Sequence, residues 1–417
     1  MESYSKCIFH IDVNSAYLSW TAVDRLKKGE KIDLRDIPSV IGGDEKLRRG
    51  VVLAKSIPAK KYNVITGESL YSAFKKCPNL KVIHGDFELY NKCSKDMIDI
   101  LSEYTPLLEQ YSIDECFLEV TNKNYMKEDY IKLAHTIKDR IKKQLGFTVN
   151  IGISSNKLLA KMASDFKKPD RVHTLFKEEI ERKMWTLPVE NLFMVGKATI
   201  PKLKRININT IGELAKYDVE KLRYFFKSYG EMIHNYANGI DSSTIDINKK
   251  YKHKNMGNST TISFDVEDKE TAHRILLSLC ETLGMRLRKH NNYCNVVSVS
   301  IKNSDFLNYS KQRKIRNPTN STNELYKISC KLFDELWYGE PIRHLAINTS
   351  IVNENFGVQL SLFDKKEDEK YIILEKTIDS IREKYGNKSI IKSSFLNSNI
   401  NPMSGGLKKE LQDDDTK

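Results

Sequence analysis

Asp114 and Glu115 stand side by side in the run Ser112-Ile113-Asp114-Glu115. Neighbouring acids on an extended strand point to opposite faces, so both reach one point only where the backbone turns beside them. A third carboxylate from an adjacent strand can then complete an oxygen cage. Asp12 is the natural third, because it ends the apolar run Cys7-Ile8-Phe9-His10-Ile11. That run reads as a buried strand delivering an acid at its C-terminal end. Oxygen cages suit Mg2+, which keeps coordination positions open for phosphate. Two such ions can activate a hydroxyl and neutralise a departing pyrophosphate. An Asp-Glu pair by itself most often marks a solvated turn. Here Ile113, Cys116, Phe117 and Leu118 surround it, and such flanks imply a mostly buried strand.

The elements that must hold these acids follow from periodicity. The spacing predicts a helix from Ser15 to Gly29, a strand at 51–54, a short helix at 69–76 and a longer one at 86–103. Residues 111–120 alternate around the two acids as a strand or tight hairpin. Tyr130, Leu133, Ala134, Ile137, Ile141 and Leu145 mark an amphipathic helix closed by Gly146. A strand at 147–154 and a helix at 156–166, stopping before Lys168-Pro169, complete an α/β domain with its acids at strand ends. Residues 177–240 read as short helices. Residues 241–254 lose apolar periodicity and end in Lys249, Lys250, Lys252, His253 and Lys254, the pattern of a basic linker. Beyond it the order strand, helix, strand, strand, helix, strand over 258–352 predicts a split βαβ domain. After about residue 353 a tail is expected, with one short helix near 367–385 and a polar, disordered end.

The chain has 417 residues, 40% hydrophobic and 29% charged, which fits a globular protein of two to four domains. No run of about 18 apolar residues exists, so no membrane span is expected. The first residues lack the basic-then-apolar order of a signal peptide. Seven scattered cysteines with no C-x-x-C pair predict reduced thiols in the cytoplasm and no zinc site. The net charge of +13, from 68 Lys+Arg against 55 Asp+Glu, suits a polyanionic partner and a solvated basic surface about equally.

Four runs then appear in order: HIDVNSAY (10–17), YSIDECFLEV (111–120), GISSNKLLAKMASDFKKPD (152–170) and LPVENLFMVGKATIPKLKRININTIGELA (187–215). Together they resemble the motifs of the Y-family DNA polymerases, the DinB/UmuC group. The likeness runs over roughly residues 6–363. It implies an α/β and α+β multidomain fold, a right hand with palm (1–14 and 84–175), fingers (15–83), a helical thumb (176–240), a linker (241–254), a little finger (255–353) and a tail (354–417). It implies error-prone, translesion DNA synthesis without proofreading, by a monomer acting on primer–template DNA and deoxynucleoside triphosphates.

By the same resemblance Asp12, Asp114 and Glu115, helped by the Val13 carbonyl, hold two Mg2+ ions, with Mn2+ able to substitute. Tyr17, five residues after Asp12, matches the aromatic gate that excludes a ribose 2′-hydroxyl; by position alone it would be a core aromatic on a helix. Lys168 matches a lysine that contacts the incoming triphosphate. The fingers run KSIPAKKYNV departs from the family pattern. Ile57 stands where a Tyr is usual, Lys60 where an Arg is usual and Asn63 where a Gly is usual. Lysine keeps the charge but loses the bidentate fork. Ser56 and Lys60 remain candidates for phosphate. Ala16 replaces a common aromatic, which makes the gate region roomier.

Residues 192–212 resemble a helix-hairpin-helix whose turn amides cradle DNA phosphate. Met194-Val195-Gly196 keeps only the second of its two usual glycines. Gly196, Lys197, Lys252, Lys254, Arg313 and Arg316 are the candidate DNA contacts. The tail run Gln359-Leu360-Ser361-Leu362-Phe363 resembles a sliding-clamp-binding peptide, with Gln359, Leu360, Leu362 and Phe363 as its anchors. Two other readings are a catalytically weak DNA- and clamp-binding protein, suggested by Ile57 and Lys60, and a nucleotide cyclase with a similar carboxylate set.

Overall fold

The apolar run ahead of Asp12 forms strand β1 (Ile8–Val13), and every one of its residues is buried. A computed structural model describes residues 6–44, 48, 50–122, 124–247, 254–352, 367–396, 398, 400, 402 and 403. The described residues of Met1–Gly43 and Val51–Lys250 form one compact unit, and those of Asp44–Gly50 and Tyr251–Glu410 a second.

In the first unit the strands that follow are β2 (Ser39–Gly42), β3 (Val52–Lys55), β4 (Lys81–His84), β5 (Leu108–Gln110), β6 (Glu115–Glu119), β7 (Val149–Ser154) and β8 (Val172–Thr174). Five of them make the sheet β5-β6-β1-β7-β8. β1 pairs antiparallel with both β6 and β7, and only β7 and β8 run parallel. Alternate residues of β1 face opposite ways. Phe9 and Ile11 enter a core that Tyr130, Ala134, Ile137 and Ile141 share. His10 and Asp12 face the other side, where the helix Lys157–Ser164 lies. That helix approaches so closely that a Cβ on Gly152 would sit 1.9 Å from the Ala160 carbonyl oxygen. Only glycine fits there.

A smaller sheet, β3-β2-β4, carries the segment between the helix Ala16–Lys27 and the helix Phe87–Ser102. Short helices between Ile180 and Ala237 pack around Leu203, Ile211, Leu214 and Leu222. The first half of the expected linker is fastened rather than loose. The Gly239 carbonyl accepts from Asn156 at 2.8 Å, Asp241 accepts the Leu158 N–H at 3.1 Å, and Glu109 accepts the Asp246 N–H at 3.1 Å. Lys249, Lys250, Lys252 and His253 lie outside the described residues.

The second unit contains β9 (Asn255–Val266), β10 (Tyr293–Asn303), β11 (Asn308–Thr319) and β12 (Ile342–Val352), all antiparallel in the order β11-β10-β12-β9. The helices Lys269–Lys289 and Thr322–Asp334 cover one face. This is the split βαβ order that the spacing predicts. Past it, the helix expected in a tail is a 19-residue element, Glu367–Tyr385, and it is docked. Arg288 pairs with Glu375 at 3.0 Å and with Asp379 at 2.6 Å, and Arg382 pairs with Glu281 at 3.1 Å. Gln359, Leu360, Leu362 and Phe363 lie outside the described residues.

Candidate active site

Register brings the acids together. Asp12 stands directly opposite Glu115 on β6, and opposite Asn150 on β7. Cross-strand partners share a face of the sheet, so Asp12 and Glu115 point the same way. Asp114 sits in the turn just before β6, where its carbonyl accepts the Val13 N–H at 3.1 Å and its side chain accepts from Ser112 at 2.6 Å. Among the described residues no three acidic, His or Cys side chains close on a single point. Asp12 and Asp114 open into a cleft, whereas the Glu115 carboxylate meets His10 and Lys161.

The charges explain the ionisation of the pair. Burial pushes the Asp12 carboxyl up to about 6, against the pull of the Lys168 ammonium. Burial works the same way on Glu115. There the hydrogen bond from His10 and the charge of Lys161 outweigh it and bring the carboxyl down to about 2. Lys168 contacts both Asp12 and Asp165, the latter at 2.8 Å. Asp12, Asp114 and Glu115 stand on adjacent backbone positions, and carboxylate oxygens are the donors a hard divalent cation takes, although the Glu115 carboxylate is turned to His10 and Lys161.

The cleft has a volume of about 560 Å3. Its walls include Asp12, Val13, Tyr17, Ser56, Ile57, Lys60, Asp114 and Lys168, so the candidate nucleotide-binding residues surround one space. Tyr17 stacks on Tyr90 with ring centroids 4.5 Å apart and planes 12° apart. Ile57 is 52% exposed at the lip, and Lys60 is exposed nearby. Ser56 is occupied with structure. It caps the helix Ile57–Lys61 by accepting from Ala59, accepts from the Ser39 N–H and donates to the Ile37 carbonyl.

Four residues with roles here escape a motif reading. Arg35 lines the cleft, with its guanidinium forked on Asp33 and bonded to the Gly146 carbonyl at 2.8 Å. His10 and Lys161 hold Glu115. Asn150 is fully buried in β7. A lone Asn inside the apolar run FTVNIGIS was the available signal for it, since buried amides need partners.

The hairpin and the second unit carry the remaining candidates. Gly196 has open space around it and Lys197 is exposed. Met194 takes φ 73°, the left-handed conformation that the missing glycine would adopt freely. Lys254 is exposed. Arg313 and Arg316 both stand on β11 and both are exposed. Arg313 lies opposite Val297 on the helix side and bonds Glu335 at 2.7 Å, whereas Arg316 is exposed in the stretch where the pairing of β11 with β10 shifts register.

A right-hand polymerase is the class that this sheet, cleft and hairpin define. Residues 11–165 match the model of the impB/mucB/samB family, and residues 253–362 match that of the impB/mucB/samB family C-terminal domain. DNA polymerase IV of Clostridium acetobutylicum is 55% identical over 94% of this chain and 98% of that protein. DNA polymerase IV of Clostridium kluyveri is 37% identical over the same shares. A solved structure titled Y-family DNA polymerase chimera Dbh-Dpo4(243-245)-Dbh superposes with a TM-score of 0.71 at 19% identity, over 85% of this chain and 100% of that one. The chain belongs to the impB/mucB/samB family, the Y-family DNA polymerases. No helix among the described residues is long and apolar enough to cross a membrane.

Proposed function

We propose that the cleft is where this DNA-directed DNA polymerase joins a deoxynucleotide to a primer 3′ end during error-prone translesion synthesis. The enzyme class and the translesion role follow from the family. The observation that carries the residue assignment is the single register position at which Asp12 and Glu115 face each other, with Asp114 in the adjoining turn. Asp12, Asp114 and Glu115 would hold two Mg2+ ions, which supply hydroxyl activation and neutralise the leaving pyrophosphate. Lys168 and Lys60 bind the triphosphate, and Tyr17, backed by Tyr90, meets the sugar. The Ser56 hydroxyl orders the fingers turn beneath Lys60. Gly196, Lys197, Lys254 and Arg316 bind DNA backbone without reading sequence, together with Lys252.

The domain limits set out above for palm, fingers, thumb, little finger and tail belong to the same proposal. So do action as a monomer, a cytoplasmic location and the sliding clamp as a partner of Gln359–Phe363, which would raise the local concentration of a loosely gripping enzyme at the primer end. A purely DNA- and clamp-binding role leaves the clustered acids unexplained. The test is single-nucleotide insertion on undamaged and lesion templates in Mg2+, with and without clamp. Asp114→Ala should lose activity by about a thousandfold or more. Full activity in that variant would sink the carboxylate assignment.

A further inference from the structure

Lys168 sits on a turn between the helix Lys157–Ser164 and β8. A lysine is a point charge on a flexible four-carbon stem, so where it can act depends on what fixes its backbone. Here two buried amides fix it. Asn150 lies opposite Asp12 in the sheet and is fully buried. A side-chain amide offers two N–H donors and an oxygen with two lone pairs, and Asn150 uses both ends. Its Nδ2 donates to the carbonyls of Ser164 at 3.0 Å and Lys167 at 2.8 Å. Its Oδ1 accepts from the Arg171 N–H at 3.2 Å and from Asn14 Nδ2 at 3.2 Å. Asn14, also buried, extends the network. Its Oδ1 accepts from the Asp170 N–H at 2.9 Å and from the Thr148 hydroxyl at 3.0 Å. The turn is therefore stapled to the sheet at backbone positions on both sides of Lys168. The strand that places Asn150 is the one paired beside Asp12, so a single register sets the carboxylate and the ammonium together.

We infer that Asn150 is a positioning residue for nucleotide binding: it aims Lys168 at the incoming triphosphate by clamping the Ser164–Arg171 turn. The inference rests on the reading of Lys168 as a triphosphate contact. Asn150 touches no substrate. Its effect passes through Lys168, and two residues that act through one contact give losses that do not add.

Single-nucleotide insertion on an undamaged primer–template tests this with Asn150→Ser, Lys168→Ala and the double variant. Assays run below the thermal midpoint of each. Asn150→Ser keeps a small polar group in the site; should it not fold, Asn150→Thr takes its place in the same cycle. Lys168→Ala should raise the KM for the nucleotide by about tenfold or more, the scale of one lost charge-assisted contact. Asn150→Ser should raise the same KM by a comparable factor, with kcat and the KM for primer–template little changed. The double variant should match Lys168→Ala alone. Multiplying losses in the double variant, or an unchanged nucleotide KM in Asn150→Ser, overturns the positioning role while leaving Lys168 in place. An unchanged nucleotide KM in Lys168→Ala overturns the triphosphate reading, and the inference with it.

Discussion

Glu179 shows how one side chain here ties charge to stability. It is nearly buried and accepts from Lys183 at 2.9 Å and from the Phe176 N–H at 2.9 Å. Burial alone would raise its pKa, but these bonds outweigh it and lower the carboxyl from 4.5 to about 2. The folded state thus favours the ionised form relative to the unfolded chain. Its contribution to stability is complete above the unfolded value and is lost as pH falls towards the folded one. Between about pH 5 and about pH 3 the thermal midpoint should therefore fall less steeply in Glu179→Gln than in the parent. Equal slopes would mean that the bonds to Glu179 stabilise nothing. At this scale the sequence made some residues legible and hid others. Asp12, Asp114 and Lys168 could be singled out because each stands in a telling local run, and the fold sets all three on one cleft. His10, Lys161 and Asn150 act through partners such as Glu115 and Ser164, which only the folded register brings near, so no window of sequence displays them. Ser56 could be read as a polar group at the right place, but not as one already bonded on three sides.

The elements themselves were largely legible. The helix closed by Gly146 spans Lys127–Leu145 and the strand carrying Asn150 spans Val149–Ser154, both where apolar spacing put them. The order β5-β6-β1-β7-β8 was not, because periodicity fixes which face is buried and says nothing about which strand lies alongside. The thumb hairpin offers an element-scale prediction. A left-handed conformation costs an L-residue about 1–2 kcal/mol, and Met194 adopts one while 52% exposed. Met194→Gly should stabilise the protein by up to about 1 kcal/mol, once the greater freedom of glycine in the unfolded chain is set against the relief. Thermal or urea midpoints check this. A loss of stability would show that the Met194 side chain holds the hairpin against its neighbours.

For the whole molecule, the least legible feature is the docked helix Glu367–Tyr385. The helix is expected in a tail, and its docking is not, because the ion pairs that hold it reach a helix about ninety residues earlier. Arg382 and Glu281 are each 3% exposed. Removing one member of such a pair strands a buried charge, so Arg382→Ala should destabilise the second unit by about 3–5 kcal/mol, and adding Glu281→Gln should recover part of that loss. Unfolding curves of the parent, the single variant and the double variant decide it. An unaffected midpoint for Arg382→Ala would mean that the helix is not held there.

The same docking bears on how the chain behaves when it is cut. β12 ends at Val352 within the four-stranded sheet, and Glu367–Tyr385 is pinned by Arg288 and Glu281 to a helix packed on that sheet. A protease site engineered between Val352 and Glu367 would produce a nicked protein whose two pieces stay together as a noncovalent heterodimer. They should travel as one species through gel filtration and part only in denaturant. If the short piece instead washes away, the last helix is an appendage; if it stays, the ion pairs hold that helix without the covalent link.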